Sequence, residues 1–122
     1  MNNNMITSVD KFNRTSSTSK HTNVANNKIE VALDRFPNIK GTEVEKVLKT
    51  FANIMEEADR HIAENDNYFD YLDDRTNSYA RLNLMITMIY KAEGNIDKIK
   101  KDICFRNAKA EATELSDHYW AF

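Results

Sequence analysis

Two glutamate–histidine pairs are the residues of this sequence best suited to chemistry. Glu57 with His61, and Glu114 with His118, are each four positions apart, so each pair meets on one helix face and could supply two metal ligands. Carboxylate-bridged helical bundles use Glu and His three positions apart instead, and this sequence has no such pair. Pairs four apart are also common on solvated helices. We therefore expect no metal ion and no other cofactor.

Covalent catalysis needs a nucleophile beside a base, together with a group that orients the base. The histidines at positions 21, 61 and 118 are far apart in sequence, and no serine lies in a G-x-S-x-G elbow. Gly41 and Gly94 are isolated, so a phosphate-binding glycine loop is missing. We expect that the protein is not an enzyme; a metal-dependent enzyme of the helical-bundle type is the weaker hypothesis.

Residues 66–74, DNYFDYLDD, combine three aromatic residues with four aspartates. In one interpretation they are only a helix start, where carboxylates favour the helix dipole and Tyr68 and Leu72 face the core. In the other, they form an acidic and aromatic surface that binds a basic partner, because aromatic rings supply contact energy and carboxylates steer the encounter. The candidate partner-binding residues are Phe69, Asp70, Tyr71, Asp73 and Asp74.

Basic residues suggest an alternative function in nucleic-acid binding. They lie in an N-terminal arm and on a Lys98–Lys109 face; the residues are Lys11, Arg14, Lys20, Lys98, Lys100, Lys101, Arg106 and Lys109. Asp97 and Asp102 lower the positive charge of the Lys98–Lys109 face. The net charge of the chain is −2, with a pI near 5.9. Nucleic-acid-binding proteins usually have a stronger basic footprint. A solvated face is therefore the favoured interpretation.

Composition indicates one small all-α domain. The 122 residues include only two glycines and one proline, whereas hairpins and β-α-β units use both residues frequently. No apolar run is long enough to span a bilayer, and the N-terminal residues lack a signal-peptide core. We expect a soluble, cytoplasmic protein. The single cysteine, Cys104, excludes an internal disulfide and is expected to be at least half-buried.

Apolar periodicity predicts the helices. Residues 1–25 are polar and predict a disordered tail, and residues 26–122 predict a bundle of three or four helices. The expected helices cover about 28–36, 42–65, a third from a start within 66–69 to about 93, and 95 to about 119. Thr42 and Glu45 match a capping box, in which each side chain bonds the other residue's amide. Gly94 predicts the end of the third helix, and Asn95 the cap of the fourth.

The third and fourth helices each carry apolar residues on a second face. Leu84, Met88, Phe105, Leu115 and Tyr119 are the candidate self-association residues. Large apolar patches are seldom left open to water, and pairing of two copies is a common way to cover them. We expect a homodimer, or a monomer whose second faces await another partner. In the alternative, the first helix covers Leu84 and Met88, and a bend near Cys104 turns both halves of the fourth helix inward.

These observations predict a non-enzymatic protein-binding module. Frequent Asn and Lys are typical of AT-rich coding DNA, so the hypothesis includes an inhibitor or accessory subunit of a phage or mobile element that acts by occupying a macromolecular partner. The expected partner is a protein, and no membrane is involved. Salt-dependent binding to DNA or RNA would favour the nucleic-acid alternative instead.

Overall fold

The computed structural model of the chain describes residues 19–64 and 68–120, which form five α-helices and no β-strand. In chain order they are α1 (Lys20–Arg35), α2 (Glu43–Ala63), α3 (Tyr68–Lys91), α4 (Ile96–Lys101) and α5 (Ile103–Trp120), with a 3-10 turn at Pro37–Ile39 between α1 and α2. The predicted all-α class is confirmed for these residues. Across the same ranges, none of the helices is long and apolar enough to cross a membrane.

Helix α1 begins eight residues earlier than the sequence pattern predicts. Ser19 caps it, because the Ser19 hydroxyl oxygen accepts a hydrogen bond from the Thr22 amide at 3.1 Å. Thr22 and Ala25 are fully buried, so the inward face of the helix starts with small residues that carry little hydrophobic signal. Residues 20–25 of the predicted tail are therefore helical, and residues 1–18 lie outside the described part of the chain.

Helix α2 begins at the predicted place, but its cap differs from the predicted capping box. Thr42 is the N-cap residue, yet its hydroxyl donates to the Ile39 carbonyl at 2.6 Å instead of accepting from Glu45. The Glu45 carboxylate accepts from the amide of Gly41 at 2.6 Å, one residue before the expected donor. The preceding 3-10 turn brings the Ile39 carbonyl under the threonine and so captures its hydroxyl.

The break between α4 and α5 explains the two-faced pattern of the predicted fourth helix. Asp102 adopts an extended conformation there, with φ −72° and ψ 134°, and its carboxylate accepts from the Cys104 amide at 2.8 Å. Because the chain changes direction at this residue, both Ile99 and Phe105 are buried, at 0% and 2% exposure. The alternative with a bend is the one observed, and Cys104 itself is exposed, contrary to expectation.

One hydrophobic core joins the helices. Helices α2 and α3 share the most extensive contact, α1 and α5 each pack against both, and α4 packs against α2 and α5. The largest fully buried side chains are Phe51, Phe105, Ile29, Ile39, Leu48, Ile54, Met55, Leu82, Met85, Ile89, Ile99 and Val44. The apolar residues of α2 recur at helical spacing, and this stripe faces the core from Val44 to Ala58.

Most of the expected self-association residues pack against this core. Met88 and Phe105 are buried, at 8% and 2% exposure, and Leu115 and Tyr119 are half-buried against the core. Leu84 alone among the five candidates is exposed, at 52%. Four of the five candidates thus pack against the core within one chain, Leu84 is the exposed member, and the homodimer stays a prediction.

Candidate protein-binding surface

The predicted acidic and aromatic segment divides into an outward and an inward part at the start of α3. Phe69 is 76% exposed, and Asp70 and Asp73 are exposed beside it. We refer to Phe69, Asp70 and Asp73 as the acidic knob. Tyr71 and Asp74, the other two predicted partner-binding residues, are only partly exposed and make contacts within the chain. The structure thus leaves three of the five candidates on the surface.

Tyr71 and Asp74 help to join three helices. The Tyr71 ring stacks on His61 of α2, with centroids 4.2 Å apart and planes 8° from parallel. The Tyr119 hydroxyl of α5 donates to the Asp74 carboxylate at 2.8 Å, and the two tyrosine rings lie 6.0 Å apart. Burial and the Asp74 hydrogen bond raise the pKa of Tyr119, so its hydroxyl stays protonated as a donor. These contacts fix the direction in which the neighbouring knob points.

A buried carboxylate anchors this end of the molecule. Asp59 of α2 is 3% exposed and accepts from the Ser19 amide at 2.9 Å, the Thr22 hydroxyl at 2.6 Å and the Arg75 guanidinium at 2.7 Å. It therefore binds α1, α2 and α3 together, and Arg75 lies six residues after Phe69 in α3. The burial of Asp59 could have been suspected from the sequence, because it directly follows Ala58 in the apolar stripe of α2. Its partners could not, because they are distant in sequence.

The knob lies in a region with unbalanced negative charge. Residues 56–75 contain eight carboxylates and two arginines. Arg60 contacts the carboxylates of Glu57 and Glu64 at 2.6 and 3.5 Å, and Arg75 is paired with Asp59. Both arginines are thus engaged by other carboxylates, and Asp70 and Asp73 add their charges to this negative region. Such a surface attracts cationic groups and is screened by salt.

A second surface feature, which the sequence analysis missed, is a groove between α1 and α3. Its lining residues are Val24, Asn27, Lys28, Val31, Ile86 and Tyr90, around a volume of about 280 Å³. Val31 and Tyr90 are 58% and 38% exposed, although both are large apolar side chains. We call this feature the α1–α3 groove. Val24 and Val31 are seven residues apart and share one outward face of α1. This spacing was not recognised because Val24 precedes the predicted start of the helix.

The Lys28 ammonium borders this groove. It donates to the side-chain oxygen of Asn83 at 2.8 Å and lies 5.6 Å from the centre of the Tyr79 ring. His21 lies on the same side of α1, with its ring 5.3 Å from Tyr79. The groove therefore combines an apolar lining with cationic and aromatic edges.

The structure also places the candidate metal ligands and the basic residues of the nucleic-acid hypothesis. Glu57 contacts Arg60, His61 stacks on Tyr71, and His118 lies against Tyr119. Within residues 19–64 and 68–120, no group of three or more histidine, cysteine or acidic side chains could hold a metal ion. On the Lys98–Lys109 face, Lys100 and Lys109 both contact the Glu43 carboxylate.

The fold and this surface define an all-α protein with an outward acidic and aromatic protrusion and a separate apolar groove. Comparisons with family models, with curated proteins and with solved structures find no match to the chain.

Proposed function

We propose that the protein is a non-enzymatic protein-binding module that acts by occupying its partner, as an inhibitor or accessory subunit. The observation that supports this is the acidic knob: a phenylalanine ring that is 76% exposed, beside two exposed carboxylates, on a helix start. A large ring in that position has a high free energy of exposure to water, and aromatic side chains commonly dominate binding interfaces.

The support beneath the knob favours binding with little rearrangement. Asp59 ties α3 to α1 and α2 through Arg75, and Tyr119 ties α5 to Asp74. A side chain held on a fixed helix loses less conformational freedom on binding than one on a flexible loop. The knob therefore presents its ring and carboxylates in a preorganised arrangement.

The chemistry of the knob indicates the class of partner. The ring requires an apolar pocket, and Asp70 and Asp73 favour lysine or arginine at the border of that pocket. The Asn- and Lys-rich composition is typical of AT-rich coding DNA, which phages and mobile elements share with many ordinary bacteria, and an origin in a phage or mobile element is part of this proposal. The nucleic-acid alternative has less support, because two of the five cations on the Lys98–Lys109 face are paired with Glu43.

Affinity capture from an extract of the native host tests the proposal. The wild type is compared with a knob variant, Phe69→Ala with Asp70→Asn and Asp73→Asn. A matched control, Ile103→Ala with Glu114→Gln and Asp117→Asn, removes the same charge and one exposed apolar side chain elsewhere. We expect a protein that the wild type and the control retain and the knob variant loses. Equal capture by all three folded proteins would contradict the proposal.

A purified partner allows a second measurement. Removal of the two knob carboxylates should slow association by roughly tenfold or more at low salt, and the difference should shrink as salt rises. An unchanged association rate at low ionic strength would show that the carboxylates do not face the partner.

A further inference from the structure

The α1–α3 groove is a mostly apolar surface, and we propose that it binds the N-terminal segment of its own chain. This segment, residues 1–18, precedes the described part of the chain. It binds through the side chains of Met5, Val9 and Phe12. The basis of the inference is the match between the groove and the segment in chemistry, in length and in the distance that the chain must cover.

The groove favours an apolar occupant. Of the six described residues that line it, four are apolar: Val24, Val31, Ile86 and Tyr90. Val31 and Tyr90 are 58% and 38% exposed, so the described residues leave much of this surface in contact with water. Removal of apolar surface from water is favourable roughly in proportion to the area buried, so an apolar stripe that covers the groove is stabilised there.

The N-terminal segment carries its apolar side chains at the spacing of one helix face. Met5, Val9 and Phe12 are four and then three positions apart, and Ile6 lies beside them. Such positions form a stripe along one side of a helix. A helix this short is marginal in water by itself, which agrees with the disorder predicted from the sequence, but contact with an apolar surface can stabilise it.

The stripe and the groove have the same length. Met5 and Phe12 are seven positions apart, as are Val24 and Val31, and seven positions correspond to about 10 Å of helix. A helix with this stripe can therefore lie along the whole row of apolar side chains on α1.

The chain is long enough to bring the stripe to the groove. Val24 and Val31 follow Ser19 by five and 12 residues, which places them about 8 and 18 Å along α1 from its cap. Phe12 precedes Ser19 by seven residues, and seven extended residues span about 23 Å. Phe12 can thus reach either end of the groove.

The residues between the stripe and α1 favour a turn. Residues 13–18, NRTSST, consist mostly of Asn, Ser and Thr, whose side chains compete with helical hydrogen bonds. Six residues are a usual length for a connection between two packed helices. Ser19 has an extended backbone, with φ −73° and ψ 161°, so α1 does not continue through it. The segment then runs back along α1, with Phe12 near Val24 and Met5 near Val31.

The connection makes a weak contact sufficient. A short flexible linker holds its ends at an effective concentration in the millimolar range, so a contact with a dissociation constant of about 1 mM is about half occupied. The bound segment covers the groove, and any other apolar partner must displace it. Phe69 and Ile86 are 17 residues apart in α3, about 25 Å, so this contact is separate from the acidic knob and does not depend on the proposed function.

Paramagnetic relaxation in NMR spectra of the full chain tests the inference. A nitroxide is attached in Asn4→Cys, beside Met5, and the exposed native cysteine is removed as Cys104→Ser. We expect broadening of amide signals centred on residues 28–35 and 86–91, at the end of the groove far from Ser19. Diffuse broadening around the start of α1 alone would show an unbound segment and overturn the inference.

Matched variants assign the broadening to the groove. Val31→Glu places a charge in the groove and should abolish the broadening. Leu84→Glu changes a side chain of similar exposure, 52%, outside the groove and should retain it. Val9→Asp, in the segment itself, should also abolish the broadening and serves if Val31→Glu does not fold. Broadening that survives both Val31→Glu and Val9→Asp, or that is lost in Leu84→Glu, would contradict the proposed contact.

Two further measurements separate the possible occupants. Isotope-labelled protein without a nitroxide, mixed with spin-labelled protein without the isotope, should show no broadening; broadening there would identify a second copy as the occupant and refute the intramolecular contact. Tryptic cleavage after Lys11 should be up to about tenfold faster in Val31→Glu than in the wild type, the effect of losing one buried apolar contact. Equal cleavage rates would count against the inference. Because none of these variants changes the knob, the capture experiment decides the proposed function separately.

Discussion

Removal of the Asp59 carboxylate is the sharpest test of how this fold is held together. Asp59 is 3% exposed and accepts three hydrogen bonds that connect α1, α2 and α3. Asp59→Ala leaves the Arg75 guanidinium, whose side chain is 20% exposed, without its counter-charge. Breaking a buried ion pair in this way costs about 3–5 kcal/mol, because the remaining charge stays desolvated.

Two features of the site reduce this magnitude. The partly exposed Arg75 can turn toward water, and the Thr22 hydroxyl keeps a contact with the Ser19 hydroxyl at 3.0 Å. We therefore expect Asp59→Ala to lower the free energy of unfolding by about 3 kcal/mol, the lower end of the range for a broken buried pair. Small domains have about 5–15 kcal/mol of stability in total, so the variant should remain folded but lose a large share.

Urea unfolding followed by circular dichroism measures this loss, and a double-mutant cycle identifies its cause. Arg75→Leu added to Asp59→Ala removes the stranded cation, so the double variant should be more stable than Asp59→Ala alone. Glu114→Gln, which neutralises an exposed carboxylate of α5, should change stability by less than about 0.5 kcal/mol. A loss below about 1 kcal/mol for Asp59→Ala, or no rescue by Arg75→Leu, would refute the reasoning.

Two further substitutions test the core and the helix ends. Phe51 is fully buried, so Phe51→Ala should lower the free energy of unfolding by about 3–5 kcal/mol; an unchanged urea midpoint would show that the α2 stripe does not face the core. Gly94 has φ +74°, and a Cβ added there would lie 2.6 Å from Cδ1 of Phe36. Gly41 has a similar φ of +78°, but a Cβ added there would have no neighbouring atom within 4 Å. Gly94→Ala should therefore lower the melting temperature more than Gly41→Ala. Equal effects would mean that only backbone strain, about 1–2 kcal/mol, acts at both glycines.

The elements that sequence predicts best are those whose signals are local. The α2 stripe recurs at helical spacing, and its burial follows from that spacing alone. Helix α3 ends at Lys91, near the predicted place, where Glu93 and Gly94 adopt positive φ and the Gly94 amide donates to the Ile89 carbonyl at 2.9 Å. The Asn95 cap needs only the amide of Lys98, which it meets at 3.1 Å. Each of these depends on a few neighbouring residues, so one sequence is sufficient to find it.

The elements that sequence missed depend on distant partners. The early start of α1 is stabilised by Asp59, which lies 40 residues from Ser19 and 37 from Thr22. Asp59 thus decides the start of α1 through a tertiary contact, and periodicity does not report such contacts. The bend near Cys104 was one of two alternatives left open by the sequence, and the burial of Phe105 in a core formed largely by other helices is what distinguishes them.

The candidate surface shows the same limit. Composition identified the cluster of aspartates and aromatic residues, and three of its five predicted residues face outward. The inward position of Asp74 depends on Tyr119, which is 45 residues away and arrives only because α5 runs back to the start of α3. The α1–α3 groove was not found because Val24 was assigned to the tail.

The outward direction of the acidic knob follows from the inward use of its neighbours. At about 100° per residue, Tyr71, Asp74 and Arg75 all point within about 60° of one direction, toward α2 and α5, where their partners lie. Phe69 and Asp73 then lie on the opposite side of the same helix, and Asp70 lies to one side. An exposed ring at this position is thus imposed by contacts that stabilise the fold, and its exposure persists for as long as those contacts hold. Loss of the Asp59–Arg75 pair should therefore disturb the knob as well as the core, which connects the stability of this fold to its proposed binding function.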